Sequence, residues 1–161
     1  MKMKHIQAFV IALIIAPMLG LVRAFAPQGV DALNTHGTFG DGISRTAEGA
    51  VSRHLLLTFG TAPATQLKLC TAATRPICTA YDDAADTTPC TGLLLLAGPS
   101  RIMIASKAIA AGVRVFATAG GKITDAVVAG AYLVGESLTA GAADGSEMLV
   151  MPLSPVINPA A

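Results

Sequence analysis

From Val51 onward the chain runs as short apolar stretches broken by turn residues at intervals of about 8 to 12, the spacing of an all-β sandwich or barrel. Val51 to Phe59 is the first stretch, closed by the turn-like Gly60-Thr-Ala-Pro-Ala-Thr65. Gln66 to Cys70 alternates Leu67 and Leu69 with polar neighbours, the period of a strand with one buried face. Ile77 to Tyr81 follows Arg75-Pro76, and the acidic stretch from Asp82 to Pro89 reads as a loop. Leu93 to Leu96 is apolar without interruption, which predicts a strand buried on both faces. Arg101 to Ala105 and Val113 to Thr118 are the next two strands.

Two turns stand out. Gly120-Gly121 separates Val113–Thr118 from Lys122–Thr124, and adjacent glycines supply the positive φ angles of a tight hairpin. Ala143-Asp144-Gly145-Ser146 separates Tyr132–Leu138 from Met148–Leu153 and predicts a second hairpin. The Ala-rich stretch Ile123–Leu138 also fits a helix, but Gly130 and Gly135 would each cost about 1 kcal/mol against Ala in a helix interior, which favours strand. Ser154-Pro155 to Asn158-Pro159 is expected to end the fold.

The first fifty residues are patterned differently. Lys2, Lys4 and His5 precede an apolar run from Ile6 to Val22, a layout like a secretory leader with a cut near Ala24 or Ala26. The same run is at the short limit for a membrane anchor and would also serve as a docked arm, so residues 1–26 keep three readings. Residues 27–50, with Gly29, Gly37, Gly40, Gly42 and Gly49, show no sustained period and are expected as an extended arm. The expected organisation is therefore a leader-like segment 1–26, an arm 27–50, and a barrel-like domain 51–161. The fold class is all-β, a small barrel or sandwich of short antiparallel strands.

Composition changes this picture in one respect. The chain is 53% hydrophobic, only 4% aromatic and only 13% charged, about half the charge usual in soluble domains. Leaving out residues 1–26 removes Lys2, Lys4 and Arg23, and the remainder carries eight basic against ten acidic residues, a net of −2. The apolar leader therefore does not account for the shortage, and a basic nucleic-acid footprint is missing. A surface this poor in charge points to cover by other protein subunits.

Candidate chemistry is thin. Cys70, Cys78 and Cys90 are spaced by 8 and 12 residues, outside zinc patterns, and three is an odd number for a disulfide framework. In an oxidising compartment Cys70 and Cys78 could bridge adjacent strands; in a reducing one all three are small buried hydrophobes. Asp82, Asp83 and Asp86 lack the ligand alternation, the Gly and the distant Glu of a calcium loop, so a solvated turn is expected. His36 and His54 have no Ser or Cys motif to serve as base. Gly120-Gly121-Lys122-Ile123 lacks the earlier Gly and the Ser/Thr of a phosphate loop, and Gly135-Glu-Ser137-Leu-Thr139 lacks the second Gly of a nucleophile elbow. No catalytic, cofactor-binding or metal-ligating residue is assigned, and no enzyme, cofactor or small-molecule substrate is expected.

Several small motifs recur in a characteristic order: Arg75-Pro-Ile-Cys-Thr-Ala-Tyr-Asp-Asp-Ala84, Thr91-Gly-Leu-Leu-Leu-Leu-Ala-Gly98, Ala108-Ile-Ala-Ala-Gly-Val-Arg-Val-Phe116, Gly120-Gly-Lys-Ile123, Tyr132-Leu-Val-Gly-Glu-Ser-Leu138 and Asp144-Gly-Ser-Glu-Met-Leu-Val150. Over about residues 50 to 155 this succession resembles the capsid cement, or head decoration, proteins of tailed phages and prophages, with Cys78 standing where that pattern has a Gly. The resemblance implies a compact β-barrel-like domain on the outside of an assembled phage head. It implies contact with the major capsid protein and with further copies of itself, in a homotrimer, and assembly in the bacterial cytoplasm. The alternative, which uses the leader as written, is an exported or surface-anchored β-domain without enzymatic activity; only there, or with an N-terminal anchor, is a membrane involved.

Overall fold

The computed structural model describes residues 42–158, and the leader-like segment and most of the expected arm lie outside them. The described residues are all-β, built from ten strands and two single 3-10 turns. In chain order the strands are β1 (Gly42–Glu48), β2 (Leu56–Phe59), β3 (Gln66–Leu69), β4 (Cys78–Ala80), β5 (Pro89–Leu94), β6 (Arg101–Ile104), β7 (Arg114–Ala117), β8 (Ile123–Thr124), β9 (Tyr132–Ser137) and β10 (Glu147–Ile157).

The first five strands close into a barrel in the order β1-β3-β2-β4-β5, and the last five form a sheet in the order β6-β10-β9-β7-β8. All barrel pairings are antiparallel except β1 with β3, which run parallel from Thr46 opposite Gln66 to Glu48 opposite Lys68. The sheet curls far enough for its two edges to touch. Ala105, just past β6, forms an isolated parallel bridge to Ile123 in β8, and Ser106 donates its N–H to Ile123 at 2.8 Å.

Each half has its own aliphatic core, and β2 is the wall between them. Leu57 packs inside the barrel with Leu67, Cys78 and Cys90, whereas Leu56, the next residue, packs under the sheet with Met103, Val115, Val134 and Met148. Adjacent strand residues point to opposite faces, so one four-residue strand serves both cores only if both faces are buried. Leu56 and Leu57 are indeed completely inaccessible. In the barrel, Gly92 leaves the room that Cys78 fills, because a Cβ there would collide with the Cys78 sulfur.

The two glycines expected to turn the chain do so, both at φ 72°. They lie between β7 and β8, which pair antiparallel with Phe116 opposite Thr124. Gly121 also seats the turn on the barrel: its N–H donates to the Cys70 carbonyl at 2.9 Å, and a Cβ would lie 2.7 Å from the Leu56 carbonyl oxygen. The Asp144-Gly145 turn likewise joins β9 to β10, with Val150 opposite Ser137. Ile123–Leu138 contains β8 and β9 and no helix.

Four expectations are corrected. Within residues 27–50, expected as an arm, residues 42–48 form β1, so the barrel begins before residue 51; Ile43 and Ala47 face the core while alternate polar residues disguise the period. Of Val51–Phe59 only Leu56–Phe59 is strand, because Val51 makes one bridge to Ala84 and His54 turns the chain at φ 67°. Leu93–Leu96 is not a strand buried on both faces: β5 stops at Leu94, and a 3-10 turn over Leu95–Ala97 buries Leu95 and rotates Leu96 outward. The fold does not end at Ser154, since β10 continues through a bulge between Pro152 and Val156 to pair Ile157 with Tyr132.

Candidate protein-interaction surfaces

A groove lies at one mouth of the barrel. The register puts the start of β1, the start of β4 and the end of β5 at this mouth, since Gly42 opposes Leu93 and Cys78 opposes Leu94. The groove encloses about 480 Å³ and is lined by Ile43, Phe59, Pro76, Ile77, Leu94 and the Leu95–Ala97 turn, with Pro155 of β10 as its far wall. Its floor is apolar and its polar groups are two guanidinium groups, Arg45 and Arg75. Arg45 is held in place twice. It stacks over the Phe59 ring at 5.0 Å from the centroid and donates from Nη1 to the Pro63 carbonyl, a cation-π contact plus a hydrogen bond that fix its planar fork. Leu96, on the rim, is 60% exposed.

The two halves are joined beside the groove. Arg101, at the start of β6, donates from Nε and Nη2 to the Leu94 carbonyl at 3.1 and 2.9 Å. A second link is made by Glu147 of β10, 3.7 Å from both Arg53 and His54. Burial lowers the pKa of His54, partly offset by the Glu147 carboxylate.

The second surface is the outer face of the sheet. Side chains directly opposite one another in an antiparallel pair share a face. Ile102 opposes Leu149, and Leu138 donates its N–H to the Leu149 carbonyl, which puts three aliphatic side chains in one row. In the next row Met151 opposes Glu136, which opposes Arg114. Met151 is 40% and Leu153 38% exposed, so β10 carries large apolar side chains into solvent. Beyond Val150, which opposes Arg101 at the start of β6, β10 has no neighbour on that side among the described strands. Pro152 and Pro155 fall in this stretch and have no N–H to offer a further strand.

The residues weighed for chemistry are occupied otherwise. Cys70, Cys78 and Cys90 are free thiols, all buried, and Cys70 sits in the sheet core apart from the other two. Burial pushes all three thiols up, Cys90 to about 11 with the Asp82 carboxylate adding to the effect. They pack as small hydrophobes with little thiolate character. Asp83 and Asp86 accept the N–H groups of Arg53 and Gly49 at 2.7 Å, and Asp82 accepts that of Thr91 at 3.4 Å. The acidic cluster is thus a clamp for three backbone segments. Ser137 is buried, and its hydroxyl bonds to the Ala110 and Val113 carbonyls. Lys122, beside the glycine turn, pairs with Asp144 at 2.7 Å. His36 lies outside the described residues. The groove was not legible in the sequence: its residues come from five separate stretches, and the nearest local signal is an arginine within the period-two series Ile43, Arg45, Ala47.

No family model and no curated protein matches the chain. Among solved structures it is similar to the N base of the head fiber protein gp8.5 of bacteriophage phi29, with a TM-score of 0.60 at 14% identity, over 73% of this chain and 97% of that one. At that identity the likeness shows the fold, which the two chains share.

Proposed function

We propose that this chain is a non-enzymatic structural protein of a phage or prophage particle, seated on the outside of the head. There it contacts the major capsid protein and stabilises the shell as a cement protein. The observation that carries this reading is the fold held in common with a head fiber base along 97% of that chain. The exposed aliphatic rows of β10 and the apolar mouth groove support it, since both are surfaces that a neighbouring subunit would cover. Copies of the chain grouped around a local symmetry axis of the shell, as a trimer, would present identical patches to identical partners.

The test mixes purified protein with undecorated heads of its own phage, pellets them, and compares the temperatures at which decorated and bare heads come apart. A ligand that binds only the assembled state stabilises it by mass action, so the decorated heads are expected to resist heat better. Failure to pellet at micromolar protein, or pelleting without added resistance, overturns the cement role. The leader-like residues 6–22 favour the exported β-domain as second reading. Mass spectrometry of the native N-terminus separates the two, an intact Met1 favouring the particle and a start near Phe25 or Pro27 favouring export.

A further inference from the structure

The mouth groove is lined by two cations without a carboxylate partner among the described residues. Arg53, His54, Lys68, Lys107 and Lys122 each face a carboxylate, Arg101 is engaged with the Leu94 carbonyl, and Arg114 stands opposite Glu136 on the outer face of the sheet. Arg45 and Arg75, which both line the groove, form none of the ion pairs found among the described residues. Between them the floor is Ile43, Ile77, Leu94 and the rim residue Leu96. A guanidinium that is already stacked and hydrogen-bonded, as Arg45 is, loses little freedom on gaining a bidentate partner.

From this charge pattern we infer that the groove receives a segment of the shell protein in which an Asp or Glu is flanked by aliphatic side chains, the carboxylate bridging Arg45 and Arg75 and the aliphatic groups covering the floor. The inference rests on the head-protein reading and names the contact through which that reading would act. A volume of about 480 Å³ suits a few side chains of an extended segment. Nucleic acid fits badly, because phosphate recognition needs a basic surface rather than two arginines around an apolar floor. Strand addition on β10 also fits badly, because Pro152 and Pro155 remove donors from its unpaired stretch. Docking is therefore by side chains into the groove.

The experiment uses the full chain with Leu96→p-benzoylphenylalanine, irradiated on undecorated heads and digested for mass spectrometry. Crosslinks are expected on a shell-protein peptide with Asp or Glu beside aliphatic residues. Arg75→Glu, an exposed change that leaves the fold intact, is expected to weaken head binding about tenfold, and Arg75→Lys by less. Arg45→Glu is expected to add a further loss, with circular dichroism reporting whether the barrel persists. Crosslinks confined to this chain, whether to its own residues 1–41 or to a second copy, overturn the inference while leaving the head role standing, as does unchanged binding by Arg75→Glu. If the wild-type chain does not pellet with heads, the head role fails, and a peptide panel decides the groove. Ten-residue Leu/Val peptides with a central Glu pair, a Gln pair or a Lys pair are titrated into the isotope-labelled chain. Shifts at Phe59, Arg75 and Leu96 with Glu alone uphold the groove's preference, and equal or no response to all three overturns it.

Discussion

The barrel and the sheet are built from the same few residue types, yet they leave different surfaces. The barrel closes on itself through β1, so it has no edges and keeps most of its aliphatic residues inside; its exposed large apolar groups are Phe59 and Leu96 at the groove and Tyr81 beyond the other end of β4. The sheet touches edge to edge at one bridge only, and its longest strand runs past its neighbour with Met151, Leu153, Val156 and Ile157 exposed. Closure pairs every barrel strand on both sides, while partial closure leaves the second half with an exposed apolar face and an unpaired stretch of β10. The contrast teaches where to expect fold stability and where to expect contacts, and each can be altered without the other.

The wall between the halves should respond most strongly. Leu56→Ala opens a cavity under the sheet and Leu57→Ala opens one in the barrel, and each is expected to cost about 2–5 kcal/mol in denaturant unfolding. Because β2 serves both cores, both variants should lower one common transition. Two separable transitions in either variant would show that the halves fold independently.

The glycine turn should come next. Gly121→Val places a branched side chain at positive φ against the Leu56 carbonyl, whereas Gly120→Val meets only the φ restriction, since nothing lies within 4 Å of its Cβ position. Positive φ alone costs about 1–2 kcal/mol, so Gly121→Val is expected to lower the melting temperature clearly more than Gly120→Val. An unchanged melting temperature for the double variant would break the account of how the turn locks sheet to barrel.

Cysteine labelling resolves the two halves directly. At pH 8 none of the three thiols should react promptly in the native protein, and all three should react in denaturant. Under native conditions, site-resolved labelling times opening of the sheet through Cys70 and of the barrel through Cys78 and Cys90. The barrel pair is expected to be slower, and faster labelling of Cys78 than of Cys70 would reverse the comparison.

Smaller effects concern the outer surfaces. Met151→Asp with Leu153→Asp should change stability by no more than about 0.5 kcal/mol while weakening association with heads or with other copies. The pH dependence of the junction is set by His54, whose pKa lies below its usual 6.5 because of burial. The unfolded state then takes up a proton first, so stability should be full above about pH 6.5 and fall as pH drops toward the folded pKa. His54→Gln is expected to flatten that decline in denaturation midpoints measured across pH 5–7.

How far the sequence reached depends on the range of each interaction. The all-β class, the separate strands at Gln66–Leu69 and Arg101–Ile104, and both hairpin turns follow from local rules. Period-two alternation and glycine's tolerance of positive φ act within a few residues. Gly42–Glu48 escaped because its partners are β5 and, in parallel, β3, pairings fixed by chain contacts more than fifteen residues away. Leu95 and Leu96 look alike in sequence, yet one is buried and the other projects from a 3-10 turn, a choice made where the barrel meets β10. The same holds for the groove: nothing local marks Arg45 and Arg75 as neighbours of one apolar floor. Local sequence determined that strands would form and where they would turn; only the closing of one sheet and the opening of the other decided which apolar and charged side chains were left facing outward, because that depends on which strands end beside each other.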